Sequence, residues 1–247
     1  MISVVMPFFN RYDLLHQRLN DLFCFLPQSA EIVVVNDAST ETDSKRILKW
    51  WSDEVFPNYN RVLRYVKNPE NLGFGRSMNT GVAHARGEII VLLSTDVIIR
   101  GNFTNQIEQL IRLDPKILIG GRVIYFDTGW NTFNFDGKPT TIPYCEGWLL
   151  ACTKDAWKDI GGFDDRYAPY DYEDIDISLT ATTKGYKLVG LNNSQLEHLS
   201  GQTIMTVNPD RMVVTERNRI RFYDKWKEEV SHIFETLEIA NAERIND

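Results

Sequence analysis

Two acidic residues, Asp37 and Asp96, follow short apolar runs of the chain at residues 32–35 and 89–93. Apolar runs without polar alternation are typical of strands that are buried on both faces of a parallel sheet. In such sheets, ligands bind beyond the carboxyl ends of the strands. The sequence therefore predicts both carboxylates at a ligand-binding edge, where Asp96 has the oxygen chemistry to hold a divalent metal. The alternative is that each is only a helix cap or a turn residue.

A second acidic group, Glu173-Asp174-Ile175-Asp176, stands at the predicted start of a helix. Repulsion between such closely spaced carboxyls raises the pKa of at least one of them, and a general base needs that adjustment. Ile175 and Leu179 lie on one face of the helix and would contact the core, which turns Asp174 to one side, toward a cleft. A solvated acidic helix start is the alternative.

His198 is the one histidine that lies in a predicted loop, directly after a short apparent strand. His16, His84 and His232 fall in predicted helices. A lone histidine is more often structural or exposed than a metal ligand. The sequence leaves both interpretations of His198 open.

The loop at residues 71–81 leads into a predicted helix. The spacing of Gly73 and Gly75 does not fit a dinucleotide fingerprint, because the third glycine position holds Met78. Backbone amides at the helix start, together with Arg76, are suited to binding an anion. The alternative is a simple capped turn with an exposed arginine.

The elements that must position these residues alternate along the first part of the chain. Strands are predicted at 2–6, 31–36, 62–66 and 89–93, with helices at 13–26, 39–51 and 75–85. This alternation requires a parallel sheet with right-handed crossovers. After Asp96 we expect helices at 104–113 and 172–184, strands at 117–126 and 187–191, a hairpin or loop over the site at 127–143, and a charged helical tail at 210–247.

Size and composition limit the classes of function. The 247 residues, 43% of them apolar and 25% charged, suffice for one sizeable α/β domain. The net charge of −7 disfavours a broad nucleic-acid surface, and the basic residues near the C-terminus are expected on the solvated face of a helix. The three cysteines lack zinc spacing and favour reduced thiols in a cytosol. No apolar run approaches the roughly 20 residues that a membrane helix needs.

Seven segments follow one another in a particular order along the chain: Val-Val-Met-Pro-Phe-Phe-Asn-Arg, Glu-Ile-Val-Val-Val-Asn-Asp-Ala-Ser, Asn-Leu-Gly-Phe-Gly-Arg-Ser-Met-Asn-Thr-Gly, Ser-Thr-Asp, Gly-Gly-Phe-Asp, Tyr-Glu-Asp-Ile-Asp and His-Leu-Ser-Gly. This series resembles the family-2 glycosyltransferases with the GT-A fold, over residues 2–205. The resemblance implies a Rossmann-like, mainly parallel sheet with helices on both faces, a mixed acceptor-side half and a C-terminal helical tail. It also implies inverting transfer of a sugar from a nucleotide-diphosphate donor, favoured as a UDP-sugar, with Mn²⁺ or Mg²⁺.

The same resemblance implies roles for individual residues. Asp174 matches the catalytic base, with Glu173 beside it. Asp96 matches the last acid of an Asp-x-Asp motif that binds the metal on the diphosphate, and His198 matches a further metal ligand. The nucleotide is expected beside Pro7, Phe9, Asn10, Asp37, Asn71, Gly73, Arg76, Thr95 and Asp96, and the acceptor beside Glu146, Gly147 and Trp148.

Two positions depart from the family pattern. Ser94 stands where the first acid of Asp-x-Asp usually lies, and Asn36 replaces an acid that is common before Asp37. Donor phosphates and water must then complete the metal shell, and we expect weak metal binding without donor. Ser94 also keeps open a catalytically inactive protein that binds nucleotide sugars or carbohydrates. A nucleotidyltransferase ranks third, because residues 7–10 lack the basic, glycine-rich loop that those enzymes usually carry after the first strand.

We expect a single domain over residues 1–247, with a nucleotide-binding half at 1–98, an acceptor and catalytic half at 99–209, and the tail at 210–247. The expected acceptor is a saccharide, a glycolipid or another hydroxyl compound, and residues 199–209 are expected to close over the donor as a lid. The expected location is cytoplasmic. Peripheral contact with the inner face of a membrane, or homo-oligomerisation through the tail, is left open.

Overall fold

A computed structural model of the chain describes residues 1–40, 42–127, 141–191, 193–199 and 211–227. Its strands are β1 (Ile2–Phe8), β2 (Glu31–Asn36), β3 (Val62–Lys67), β4 (Ile89–Leu93), β5 (Val97–Ile99), β6 (Ile117–Gly120), β7 (Val123–Asp127), β8 (Thr141–Cys145), β9 (Leu149–Thr153), β10 (Lys187–Gly190) and β11 (Leu196–His198). Its helices are α1 (Tyr12–Phe25), α2 (Thr42–Trp50), α3 (Phe56–Asn58), α4 (Phe74–His84), α5 (Thr104–Leu113), α6 (Lys154–Ile160), α7 (Glu173–Thr183) and α8 (Arg211–Trp226). A π-helical turn at Trp51–Val55 joins α2 to α3, and a 3-10 turn spans Asp165–Tyr167.

The centre of the fold is a seven-stranded sheet with the order β10-β6-β9-β4-β1-β2-β3. Strands β4, β1, β2 and β3 are parallel to one another, and β10 is parallel to β6. Only β9 runs antiparallel in this sheet, between β4 and β6. Every residue of β1 and β2 is buried, as their apolar runs predict. The predicted mainly parallel α/β sheet is confirmed.

Helices cover both faces of this sheet. Alternate residues of β1 point to opposite sides, so that Val4 and Met6 belong to one hydrophobic cluster and Val5 to the other. Leucines of α1 and isoleucines of α5 fill the first cluster, at Leu15, Leu19, Leu22, Ile107 and Ile111. Residues of α4, α6 and α7 fill the second, at Met78, Val82, Trp157 and Ile177. The result is a three-layer arrangement, with the sheet between two layers of helices.

The second half of the chain departs from the sequence-based expectation. The predicted strand at 117–126 is two strands, because the backbone leaves the main sheet at Gly121. A Cβ atom at Gly121 would lie 2.1 Å from the Trp148 ring, so a glycine is required where the indole crosses. After this break, β7 pairs with β8 instead of continuing the sheet. Strand β5 was not predicted at all, and it pairs antiparallel with β11.

Some expectations fall outside the part of the chain that the structure describes. They are residues 128–140 of the predicted loop at 127–143, residues 200–209 of the predicted lid, and the tail beyond residue 227. The rest of the tail forms α8. Across the described segments, no helix has the length and apolar character that crossing a bilayer requires.

None of the basic residues of α8 is buried, and Arg217 and Arg221 are exposed, in agreement with the predicted solvated face. Arg217 and Arg221 donate to the backbone carbonyls of Ala168 and Arg166. Lys225 Nζ lies 2.8 Å from Asp176 Oδ2. The buried rings of Phe222 and Trp226 anchor the helix against α7.

Candidate active site

A cleft of about 870 Å³ opens at the carboxyl ends of β1, β2 and β4. Its walls come from several segments: the end of β1 (Pro7 to Phe9), Asp37, the loop before α4 (Asn71, Gly73), residues 94–96, Tyr144 of β8, the turn between β8 and β9 (residues 146–148), residues 169–175, His198, and the start of α8 (Arg211, Thr215). The position matches the rule that parallel sheets bind ligands beyond their carboxyl ends. The space suits a drug-sized or nucleotide-sized molecule.

Asp37 is buried at the edge of the cleft and fixes the loop before α4. Its carboxylate accepts hydrogen bonds from Asn68 Nδ2 at 2.8 Å, from the Leu72 backbone N–H at 2.8 Å and from the Gly73 backbone N–H at 2.9 Å. Gly73 has a φ of +84°, and a Cβ atom there would meet the Pro169 backbone at 2.4 Å. The Phe74 backbone N–H donates to the Pro169 carbonyl at 2.8 Å, which joins this loop to the opposite wall.

Asp96 and His198 come together because the short strands that flank them pair. In the β5–β11 ladder, His198 is opposite Val97, and the Leu199 backbone N–H donates to the Asp96 carbonyl. The resulting distance from His198 Nε2 to Asp96 Oδ1 is 3.5 Å, and Ser94 Oγ donates to the same oxygen at 2.5 Å. Burial opposes ionisation of Asp96, but the hydrogen bonds from His198 and Ser94 outweigh it and hold the pKa of Asp96 below its ordinary value.

Trp148 supports His198 from behind. Its indole stacks on the imidazole with ring centroids 5.3 Å apart and an interplanar angle of 18°. Trp148 Nε1 donates to Glu146 Oε2 at 3.0 Å, and Arg122 Nε lies 2.7 Å from the same oxygen. Trp148, expected to meet the acceptor, is therefore also in contact with a candidate metal ligand, a connection that sequence reasoning did not find.

Asp174 lies in the cleft at the start of α7. Its Oδ2 accepts a hydrogen bond from the Gly147 backbone N–H at 3.1 Å, and its Oδ1 accepts one from the Ile175 N–H at 2.9 Å. Burial raises the pKa of Asp174 to about 6, against the two N–H groups that lower it. A carboxylate with this pKa is suited to accept a proton near neutral pH.

Glu173 also lines the cleft, and it is only 8% exposed. Its Oε2 is buried, and no group in the described ranges donates to it. Burial, followed by repulsion from Asp174, raises the pKa of Glu173 well above its ordinary value. Asp176, the third acid of the group, points away from the cleft and accepts from Tyr167 Oη and Trp226 Nε1.

The loop from Tyr167 to Tyr172 is held by α8. The fully buried Asn218 Nδ2 donates to the carbonyls of Tyr167 at 2.6 Å, Tyr170 at 2.7 Å and Asp171 at 3.0 Å. Thr215 Oγ1 donates to Asp171 Oδ2 at 2.6 Å. Asp171 and Tyr172 both have positive φ, so the loop does not follow a regular hydrogen-bonding pattern. The Asn218 side chain supplies the donor that these buried backbone carbonyls need.

Most of the predicted site residues line the cleft, but two do not. Pro7, Phe9, Asp37, Asn71, Gly73, Thr95, Asp96, Glu146, Gly147, Trp148, Glu173, Asp174 and His198 are all part of its walls. Arg76 instead directs Nε to the Asp165 carbonyl at 3.2 Å. Asn10 joins two loops, since its N–H donates to Ser39 Oγ and its Oδ1 accepts from the Thr40 N–H. The structure adds Tyr144, Asp171, Arg211 and Thr215, for which the sequence gave no signal.

Asp96 and His198 are the residues that could hold a divalent cation. Their oxygen and nitrogen atoms converge at the cleft, and the lowered pKa keeps Asp96 ionised. Within the segments described, no cluster of three or more His, Cys, Asp or Glu side chains could form a complete metal shell. The pair therefore fits a cation whose other ligands come from a bound phosphate and water.

A protein-family model matches the first part of the chain. The model of Glycosyl transferase family 2 matches residues 3–154. An uncharacterized glycosyltransferase of Rickettsia conorii is 27% identical over 146 residues, which are 58% of this chain and 23% of that protein.

Two solved structures have a similar fold. The mannosyltransferase PcManGT from Pyrobaculum calidifontis, in complex with GDP-Man and Mn²⁺, has a TM-score of 0.59 and 21% identity, over 76% of this chain and 54% of that chain. GalNAc-T7 with UDP, GalNAc and Mn²⁺ has a TM-score of 0.61 and 16% identity, over 76% of this chain and 41% of that chain. The chain thus spans about half the length, or less, of the proteins it resembles.

Proposed function

Because the chain belongs to glycosyl transferase family 2, we propose that it transfers a sugar from a nucleotide-diphosphate donor to an acceptor hydroxyl, with inversion at the anomeric carbon. The observation that carries this proposal is that Asp174, with its raised pKa, and the Asp96–His198 pair line one cleft. GDP-Man in one solved structure of similar fold, and UDP with GalNAc in another, support the donor class.

Asp174 is the proposed base. Its carboxylate takes the proton of the acceptor hydroxyl while that oxygen forms a bond to the anomeric carbon. The bond from this carbon to the diphosphate oxygen breaks, and the nucleoside diphosphate leaves with the electron pair. The N–H groups of Gly147 and Ile175 each bond one carboxylate oxygen and hold the group in one orientation at the cleft wall. General-base catalysis of this kind contributes about 10²–10⁴ in rate.

The nucleoside is proposed to lie beside Pro7, Phe9 and the loop that Asp37 fixes, with the diphosphate toward Asp96. A divalent cation held by Asp96 and His198 would stabilise the negative charge of the leaving diphosphate. Ser94 Oγ donates to Asp96 Oδ1, and His198 Nε2 lies 3.5 Å from the same oxygen. Ser94 and His198 thus keep the carboxylate ionised and oriented before any cation binds.

The proposal is tested with purified protein, Mn²⁺ and a panel of UDP- and GDP-sugars. A thermal-shift assay with each nucleoside diphosphate identifies the nucleobase of the donor, since a ligand that binds the folded protein raises the melting temperature of the protein. Release of nucleoside diphosphate from each sugar of the panel then identifies the donor sugar. The same assay on Asp174→Asn tests the proposed base. NMR of the product's anomeric signal reports inversion. A protein that binds no member of the panel would contradict the proposed function.

A second candidate is a nucleotide-sugar binding protein without transfer activity. Ser94 favours it, because it removes one carboxylate from the position expected to hold the metal. Donor binding without any hydrolysis or transfer, in the presence of Mn²⁺, would support this alternative.

A further inference from the structure

A charged side chain is buried on the inward face of helix α1. The buried residues of this helix are Leu14, Leu15, Arg18, Leu19 and Leu22, and Arg18 is only 1% exposed. The guanidinium group of an arginine stays positively charged in proteins. Burying a charge is costly unless hydrogen bonds and an opposite charge compensate it. The partners of Arg18 therefore indicate why this leucine-rich face includes an arginine.

The guanidinium of Arg18 connects α1 to the turn between β4 and β5. Arg18 Nε donates to the Thr95 backbone carbonyl at 3.3 Å. Nη1 of the same side chain donates to the carboxylate of Asp21, three residues further along the helix. Thr95 stands between Ser94 and Asp96, and these three residues line the cleft, whereas Arg18 does not. Arg18 thus holds the residue next to the candidate metal ligand from the buried side of the cleft wall.

The backbone of this turn is bonded to three different parts of the fold. The Ser94 N–H donates to the Trp148 carbonyl at 2.9 Å, and the Leu199 N–H donates to the Asp96 carbonyl at 3.0 Å. Arg18 supplies the bond to the carbonyl of the residue between them. Unlike the other two bonds, this one comes from a side chain. A substitution therefore removes it and leaves both backbone bonds in place.

The charge of Arg18 and its bond to Thr95 would affect a bound cation in opposite ways. Burial lowers the pKa of Arg18, and the negative charges of Asp21 and Asp96 oppose that change. A positive charge near Asp96 would by itself weaken the binding of a cation, because like charges repel. A bond that holds the turn in place would strengthen it. The sign of the change in Mn²⁺ affinity after a substitution therefore separates the two effects.

We infer that Arg18 is a positioning residue for the candidate metal site, and that its bond to Thr95 sets the place of the Asp96 carboxylate. The inference rests on the proposed function, because it concerns the cation that would bind with the donor diphosphate. Groups that orient metal ligands without touching the metal change metal affinity about 10–100-fold. The effect should be confined to the diphosphate end of the donor, since the nucleoside is proposed to lie beside Pro7 and Phe9.

The test uses Arg18→Met, which keeps an unbranched side chain among the leucines of α1 and removes both hydrogen bonds. Isothermal titration calorimetry measures the affinity for Mn²⁺ at a fixed concentration of the nucleoside diphosphate that the thermal-shift panel identifies. It also measures the affinity for the free nucleoside without metal. We expect the Mn²⁺ affinity to fall about tenfold or more. The affinity for the nucleoside should stay that of the wild type.

Arg61→Met is the matched control. Arg61 also donates to a backbone carbonyl, with Nη1 and Nη2 each 3.1 Å from the Leu26 oxygen, and it does not line the cleft. Its Mn²⁺ affinity should stay that of the wild type. Amide hydrogen exchange of the metal-free proteins gives a second measurement, because it reports local opening. The Ser94 and Leu199 N–H groups should exchange faster in Arg18→Met than in Arg61→Met.

Arg18→Lys is the second variant, and it keeps the test decisive if Arg18→Met does not fold. Lysine retains the positive charge but lacks the planar fork that serves Thr95 and Asp21 together. We expect its Mn²⁺ affinity to lie between those of the wild type and Arg18→Met. An affinity equal to that of the wild type would contradict the role of the bond to Thr95.

The remaining outcomes separate this inference from the proposed function. An unchanged Mn²⁺ affinity in Arg18→Met, or an equal loss in Arg61→Met, overturns the inference and leaves the proposed function standing. A gain in Mn²⁺ affinity overturns it too, and would show that the charge of Arg18 outweighs its bond. A wild type that binds no nucleoside diphosphate contradicts the proposed function itself. Hydrogen exchange, which needs no ligand, then still decides whether Arg18 holds the turn.

Discussion

The Trp148 indole stacks on the His198 imidazole, 5.3 Å between centroids, and so connects the turn between β8 and β9 to the candidate metal site. Loss of this contact should weaken the metal site without removing a ligand, as happens when groups that orient metal ligands are changed. We expect Trp148→Leu to weaken the Mn²⁺-dependent binding of the nucleotide about tenfold or more. Isothermal titration calorimetry with Mn²⁺, at a fixed nucleotide concentration, measures this affinity.

Trp148→Phe is the control for that experiment, because phenylalanine keeps a ring against His198 and loses only the hydrogen bond to Glu146. Its Mn²⁺ affinity should stay closer to that of the wild type than the leucine variant's does. Equal Mn²⁺ affinity in all three proteins would show that the stack does not position His198.

Ser94→Asp should strengthen metal binding. The Ser94 hydroxyl lies 2.5 Å from Asp96 Oδ1, so a carboxylate there would face the same ion. Without a metal, the two carboxylates repel and the protein should melt at a lower temperature. With nucleotide present, we expect the apparent dissociation constant of Mn²⁺ to fall about tenfold. Ser94→Asn, which adds similar volume without charge, is the comparison, and an identical response of both variants would refute the prediction.

Asp174→Asn should lower turnover by about 10²–10⁴ and leave donor binding unchanged, because the amide keeps the shape of the carboxyl group but cannot take a proton. Single-turnover rates and nucleotide affinity are measured on the same protein. Asp165→Asn changes the charge of an exposed residue outside the main cleft and should behave as wild type. Turnover of Asp174→Asn near the wild-type rate would remove Asp174 from the mechanism.

The pKa of about 6 at Asp174 predicts opposite pH trends for activity and stability. The base works only when ionised, so kcat/KM should rise with pH through about 6 and then level off. Folding raises this pKa above its ordinary value of 3.8, so the folded state binds the proton more tightly and stability falls as pH rises from about 4 to 6. The Asp174→Asn variant has no carboxyl group to titrate at this position, so it should not show this fall in stability.

Thermal melts at pH 4 and pH 7.5 check the second trend. The asparagine variant should melt close to the wild type at pH 4 and at a higher temperature than the wild type at pH 7.5. A wild type that stays the more stable protein at pH 7.5 would contradict the raised pKa.

Asn218→Leu should weaken both the fold and the cleft. It leaves the carbonyls of Tyr167, Tyr170 and Asp171 without their shared donor. A buried polar group that loses its hydrogen-bond partner costs about 1–3 kcal/mol of stability. We expect a lower midpoint of urea unfolding and a lower kcat. Asn193→Leu, at a half-buried residue whose amide bonds to Gln106 and to the Gln195 N–H outside the cleft, should change neither by as much.

The sequence predicts the parallel half of this fold well because its signals are local. Continuous apolar runs mark β1, β2 and β4, and leucine spacing marks α1, so each element is defined by its own residues. The acids that follow β2 and β4 were placed at the strand ends for the same reason, and the structure has both in the cleft wall.

The rest depends on contacts between distant residues. Strands β5 and β11 have three residues each, too few to show a period, yet their pairing sets the Asp96–His198 distance. The break after β6 comes from the ring of Trp148, which crosses Gly121. Arg76 turns to the Asp165 carbonyl, a partner that only the folded chain supplies.

The contacts of helix α8 also affect the order in which parts of the chain fold during synthesis. Lys225 and Trp226 bind Asp176, and Asn218 binds the loop that precedes the proposed base. A nascent chain that has left the ribosome only as far as the sheet lacks these bonds. The loop that precedes the proposed base therefore takes its final form only once Trp226 has emerged, so that chains cut short before α8 would lack the hydrogen bonds that hold this loop.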